Sequence, residues 1–259
     1  HRALLGEHRA AGGSRARLPR ARLRPARARA QRQAARPARL RGDRARRDPS
    51  SGSSQNRKID SLKALLPEKS GIKKIDILYG LSYEYLEVDY DLALRYGNYA
   101  YNLAKERADT FRIVKTGRIK SLAYRRLNKL DSALEISMEI FPIARKLNYK
   151  YELKHILNGL AVVYMSKAYY DKALRYLFES LKLNEETNDK FQISVALQNI
   201  GFVYYQLDDF EKALAYYSRS LKFKSEIKNK YDLDILLISI SLCYTYKNDL
   251  VKADEFIRQ

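Results

Sequence analysis

Five alanines, Ala93, Ala133, Ala173, Ala213 and Ala253, stand 40 residues apart without a slip. A fixed period of this size marks a chain that stacks one supersecondary unit on the next, because such a unit buries its apolar face only against its neighbours. Other positions keep the same register. Tyr124, Tyr164, Tyr204 and Tyr244 recur nine residues ahead of their alanines, and three residues ahead of each alanine stands a large side chain: Tyr90, Leu130, Tyr170, Phe210 or Leu250.

The unit divides into two helical halves. In the best-formed copy Leu197, Ile200, Gly201 and Tyr204 follow the i, i+3, i+4, i+7 pattern of one helix face, and Phe210, Ala213, Leu214, Tyr217 and Leu221 form a second stripe. Between them Leu207, Asp208 and Asp209 make a tight polar turn. Asn128, Asp208 and Asn248 fall where the first helix ends, and Asn and Asp tolerate the left-handed conformation that such an end requires. Ala168, at the same place in the third unit, does not fit this rule. Longer polar turns are expected at 148–150, 188–190 and 228–230, between one helix pair and the next. In the first unit Tyr85 precedes Ala93 by eight residues, which predicts a turn one residue shorter. Pro142 lacks a backbone donor and clashes with the Met138 carbonyl, which predicts a kink in the second half of the second unit.

The run Gln198-Asn199-Ile200-Gly201-Phe202-Val203-Tyr204-Tyr205, followed by Asp209-Phe210-Glu211-Lys212-Ala213-Leu214-Ala215-Tyr216-Tyr217, resembles a tetratricopeptide (TPR) repeat. The likeness rests on a small residue and then a Tyr in the first helix, as in Ser121 and Tyr124, Ala161 and Tyr164, and Gly201 and Tyr204, with the aromatic and Ala of the second helix at fixed offsets. A 40-residue unit is about six residues longer than the usual 34, or roughly 1.7 helical turns shared between two helices. Longer units of this kind are similar to those of bacterial sensory TPR proteins. Residues 58–66, Tyr83-Glu84-Tyr85 and Asp91-Leu92-Ala93-Leu94 further resemble the extracytoplasmic TPR sensor region of bacterial two-component histidine kinases. The resemblance covers residues 58–259, and the kinase half of such proteins has no counterpart here.

The resemblance implies an all-α, TPR-like solenoid of antiparallel helix pairs wound into a right-handed superhelix. The five units span approximately 70–108, 109–148, 149–188, 189–228 and 229–259, the last cut within its second helix, so that the chain reads as a fragment at both ends. Composition changes sharply at about residue 57. Residues 1–57 hold 17 Arg, no Lys and no aromatic residue against Glu7, Asp43 and Asp48, which accounts for +14 of the formal +20. The remaining 33 basic and 27 acidic residues leave +6 for 58–259. The tail has too little apolar surface to offset chain entropy, so disorder is expected. An Arg-rich arm can neutralise nucleic-acid phosphates, but this one lacks aromatic residues for base stacking. Its Lys-free, Arg-Ala-Pro-rich composition instead favours a segment foreign to the repeat protein.

Catalytic chemistry finds little support. A single Cys and three His, two of them in the tail, do not furnish a zinc site, and Gly12-Gly13-Ser14 has neither the strand nor the helix of a phosphate loop. His155 lacks the acidic residue that follows a phosphoacceptor histidine, and Cys243 beside Tyr244 reads as a small core residue. Neither a cofactor nor a metal is expected, and this chain is read as no enzyme. The longest apolar run, 235–246, contains Ser239, Ser241 and Thr245 and is too short to span a membrane. Localisation follows only from the kinase resemblance, which implies an extracytoplasmic sensor; otherwise a cytoplasmic location is expected.

The family uses the concave groove lined by its first helices to hold peptides or partner helices. Its inward-facing positions fall on Lys115, Arg118 and Arg125 in the second unit, on His155, Asn158, Val162 and Met165 in the third, and on Gln198, Phe202 and Tyr205 in the fourth. This set predicts a groove that is basic toward its N-terminal part, then amide-rich, then aromatic, suited to an extended peptide with an acidic group and an apolar anchor. The alternative is that Phe202 and Tyr205 pack against neighbouring helices while Arg118 and Arg125 form a solvated face. The Lys and Asn pattern by which chaperone-binding TPRs clamp a terminal carboxylate is not reproduced. The implied role is protein or peptide recognition, in the sensory part of a histidine kinase, a free-standing scaffold or a transcription regulator.

Overall fold

The computed structural model describes residues 49–228 and 232–258, and every regular element among them is an α-helix. Eleven follow in order: α1 Pro49–Leu65, α2 Gly71–Tyr85, α3 Tyr90–Glu106, α4 Thr110–Arg126, α5 Leu130–Lys146, α6 Lys150–Ser166, α7 Tyr170–Glu186, α8 Lys190–Gln206, α9 Phe210–Glu226, α10 Leu233–Tyr246 and α11 Leu250–Ile257. From α2 onward they form five pairs, and each helix packs on the one before and the one after it. First helices also touch first helices, α2 on α4, α4 on α6, α6 on α8 and α8 on α10, which makes them one continuous face.

The large residue three places ahead of each repeated alanine is the first residue of the second helix, and the alanines are buried. The repeated tyrosines owe their spacing to the turn. Asn128 (φ 58°) closes α4 in the left-handed region, and the Lys129 N–H donates to the Tyr124 carbonyl over 2.9 Å while the Asn128 N–H donates to Arg125 over 3.1 Å. This is the Schellman arrangement, which satisfies carbonyls that the helix end leaves open. The same bond runs from Tyr169 to Tyr164, Asp209 to Tyr204 and Asp249 to Tyr244. The ring of the same tyrosine then stacks on the second helix: Tyr164 on Tyr176 (5.6 Å), Tyr204 on Tyr216 (5.5 Å) and Tyr244 on Phe256 (5.8 Å).

The sequence expectations about the turns are corrected here. Turns between pairs are no longer than turns within them: Ala108, Asn148 and Asn188 take the left-handed conformation just as Asn128, Ala168 and Asp208 do, so from α3 to α9 a 17-residue helix and a three-residue turn recur every 20 residues. Ala168 conforms despite its side chain (φ 60°). The first unit's turn, 86–89, is one residue longer rather than shorter and has no left-handed residue. The connection from α9 to α10, 227–232, is the longer one. α5 runs unbroken through Pro142, which is exposed.

The Arg-rich segment through residue 48, and with it both readings of its origin, lies outside the described residues. Helix α1 begins at Pro49, so residues 49–57 are helical where disorder was expected. Ile59 is buried, Leu62 reaches to 3.3 Å of the site a Cβ on Gly80 would take, and Gln55 Nε2 donates to the Glu84 carbonyl over 2.8 Å. These contacts with α2 order a polar stretch that propensity alone would leave unformed.

Ion pairs lace one unit to the next. Lys105 bonds Glu139, Arg145 bonds Glu179 and Arg219 reaches Glu185, each joining successive second helices on the exposed side. No helix of the described residues is long and apolar enough to cross a membrane.

Candidate functional site

The first-helix face is not an open groove lined evenly by the ten residues read from the sequence. In α6 every side chain from Glu152 to Met165 is buried except His155, which is half-buried, and α8 is nearly as enclosed. Both helices carry apolar residues on all sides because each contacts a partner helix and two neighbouring first helices. Asn158, Met165, Gln198 and Tyr205 are therefore buried, and Val162 with them. Met165 belongs to the core around Leu177 and Leu197. Tyr205 meets Phe210 and Tyr246 edge-on at 5.8 and 5.9 Å, and Phe202 packs beside it. The Asn158 side-chain oxygen accepts a 3.1 Å bond from the Asn199 amide, which leaves the Asn158 amide nitrogen as a donor.

Arg118 is not a solvated cation. Its Nε donates to Glu152, whose side chain is 5% exposed, its Nη2 donates to the Tyr79 hydroxyl over 3.0 Å, and its guanidinium lies over the Tyr151 ring. Burial is the largest single influence and opposes the Arg118 charge, but the Glu152 carboxylate and the Tyr79 and Tyr151 hydroxyls together outweigh it and raise the pKa. Burial also raises the Tyr79 hydroxyl's pKa, against the pull of Arg118. Lys115 sits with its ammonium 4.4 Å from the centre of the Tyr79 ring. The expected basic N-terminal part of the groove is thus largely neutralised at Arg118, by a carboxylate that sequence reasoning missed because it lies 34 residues away and on the next first helix. Arg112 is tied in the same way, to Asp76 on α2 (2.8 Å) and to its own helix cap Asp109 (2.9 Å).

Four of the sequence-derived residues do converge. Arg118 and Arg125 from α4 and His155 and Asn158 from α6 line one small recess of about 20 Å³, with Ser121, Ser137 and Gly159 at its walls. No acidic residue lines it. Ser121 donates to the Ala133 carbonyl over 3.0 Å, and the two serine hydroxyls share a 2.7 Å bond. Tyr151, 61% exposed, leans on His155 with ring centres 4.8 Å apart. Lys115, Met165, Gln198, Phe202 and Tyr205 lie outside the recess. A wider and shallower depression lies over the turns around Asn188 and Lys228, where Lys154 bonds Asp189 (2.6 Å) and Lys190 bonds Glu226 (3.0 Å). Burial works to raise the Asp189 pKa, but the Lys154 ammonium and the Gln192 N–H bring it below the usual carboxylate value.

Elsewhere the titratable groups are structural. Cys243 is fully buried on α10, and burial pushes its thiol up to about 12, far from a thiolate at neutral pH. Among the described residues no three His, Cys, Asp or Glu stand close enough to hold a metal ion.

The tetratricopeptide repeat family model matches residues 152–226, the third and fourth helix pairs. No curated protein matches the chain. Among solved structures, BtubC from P. vanneervenii is 18% identical with a TM-score of 0.66, over 80% of this chain and 86% of that one. A signal transduction ATPase with numerous domains (STAND) and a tetratricopeptide repeat sensor, from Pyrococcus horikoshii, is 23% identical with a TM-score of 0.67, over 76% of this chain and 31% of that one. NprR in complex with its cognate peptide NprX is 21% identical with a TM-score of 0.63, over 80% and 60%; the apo form of this quorum sensor comes from B. thuringiensis. The fold is a TPR-like solenoid. The chain spans most of BtubC but less than two thirds of the other two.

Proposed function

We propose that the chain is a protein- or peptide-recognition module whose ligand lies along the face formed by α4, α6 and α8. The observation that carries this reading is the convergence of Arg118, Arg125, His155 and Asn158, from two neighbouring first helices, on a single recess of that face. A rigid first-helix face holding a few polar groups among apolar walls is the arrangement that orients an extended or helical peptide. NprR, similar in fold, is described with a bound peptide, and the STAND protein with a repeat sensor. The finer reading is a sensory part of a two-component signalling histidine kinase, in which ligand binding biases a kinase elsewhere in the protein. It rests on the resemblance of residues 58–66, 83–85 and 91–94 to such sensor regions.

Selection of short random peptides on the full chain tests the first reading. Selected peptides are expected to bind, and His155→Glu to weaken them, while Lys222→Glu on the exposed side of α9 leaves binding unchanged. Failure to select any peptide, or equal loss in both variants, overturns it. The finer reading is tested by the gene sequence beyond the codon for Gln259. An apolar span of about 20 residues and a His-Glu box agree with it, whereas a helix-turn-helix makes the module part of a transcription regulator.

A further inference from the structure

Superposed by their 40-residue register, the middle three helix pairs set a small residue of the first helix against a residue sixteen positions later on the second. Gly201 faces Tyr217, whose ring stands 2.6 Å from where a Cβ on the glycine would lie. Ala161 and Leu177 share one core cluster. In the second pair both places are small and polar, Ser121 and Ser137. The recess opens where Leu177 and Tyr217 supply volume in the third and fourth pairs and Ser137 does not; in the first pair the same register place is also small, with Gly97 beside Ser82.

We infer that the recess is a specificity pocket that takes the carboxylate of one aspartate or glutamate side chain in the bound peptide, an inference that rests on the peptide-recognition reading. The recess has room for about one water molecule, enough for the tip of one short polar group such as a carboxylate oxygen. Its lining is rich in donors: two guanidinium groups, an imidazole, and an Asn158 amide whose oxygen is already bonded to Asn199. The serine hydroxyls bond each other and the Ala133 carbonyl, so they shape the recess more than they serve a ligand. Arg118 is held in place by Glu152 and Tyr79. An ionised carboxylate offers acceptors only and matches this lining, whereas an amide would press its own NH2 against donors.

Glutarate is the probe, with the diamide of the same acid as its neutral twin, titrated into the full chain and followed by NMR at the Asn158 side-chain amide. Glutarate is expected to shift that signal saturably and the diamide to leave it unmoved. Ser137→Leu, the residue that the next unit carries in this place, should weaken the response about tenfold by filling the recess. Ser137→Ala, which keeps the space, should retain it. Should the leucine variant lose its fold by circular dichroism, Arg125→Gln carries the test, with the same loss expected. Equal response to acid and diamide, or an undiminished response in whichever variant is used, overturns the pocket. A glutarate response without any selected peptide sinks peptide recognition alone, and selected peptides indifferent to Ser137→Leu sink the pocket alone.

Discussion

At the scale of single residues the decisive facts are relations between positions far apart in the chain. Arg118 reads as a basic groove residue, yet its partner Glu152 and its hydroxyl contact Tyr79 sit on the adjoining first helices, 34 residues one way and 39 the other. No local pattern carries that information. Ser137 is equally silent: its meaning is missing volume, visible only beside Leu177 and Tyr217. The repeated Ala and Tyr were legible because each meets a recurring geometric demand, a close helix contact for Ala and, for Tyr, a closing carbonyl to which the third, fourth and fifth units add a stacked ring. Breaking the buried pair strands a charge, so Arg118→Met should destabilise the chain by about 3–5 kcal/mol, and adding Glu152→Met should recover much of that loss. Denaturant unfolding of both variants checks this, and a loss of under about 1 kcal/mol in Arg118→Met would show a pair of surface character.

At the scale of elements, the regularity lies in the turn rather than in the helix faces. Eight helix ends, α3 to α10, close through a left-handed residue, but that residue is Asn128, Asn148, Asn188, Asp208, Asn248, Lys228, or twice an alanine, Ala108 and Ala168. The mixed chemistry hid the 20-residue spacing from a reading that looked for Asn and Asp alone. Ala168 carries a conformational strain that glycine does not, so Ala168→Gly should stabilise the third pair by roughly 0.5–1 kcal/mol. Caps divide the helices in a similar way. Asp89, Asp109, Asp189, Asp209 and Asp249 accept backbone N–H bonds of the helix that follows, whereas Lys129, Tyr149 and Tyr169 do not. Tyr149 and Tyr169 have aromatic contacts to keep, with Phe111 and Tyr164. Lys129 is exposed, and Lys129→Asp should add about 1 kcal/mol through a new cap. Thermal melts of the two variants should both rise, and a fall in either would show that its turn is held by contacts other than those described.

At the scale of the molecule, a stack of pairs that touch only their neighbours turns a 40-residue rule into a long face with local variation. The fold was legible in the sequence for that reason: one rule, repeated five times, with errors in single units averaged away. The site was legible only in part. Sequence register placed Arg118, Arg125, His155 and Asn158 on the inward face, and the structure brings them together. The same register also selected Met165, Gln198 and Tyr205, which the neighbouring first helices enclose, because burial on this face depends on the size of residues one unit away. Exchange of backbone amide hydrogens in the full chain, with and without a peptide selected on it, tests the central claim most directly. The account predicts that bound peptide slows exchange in α4, α6 and α8 around Arg118, His155 and Asn158 and leaves the exposed second helices α7 and α9 unchanged; protection confined to α7 and α9 would contradict it.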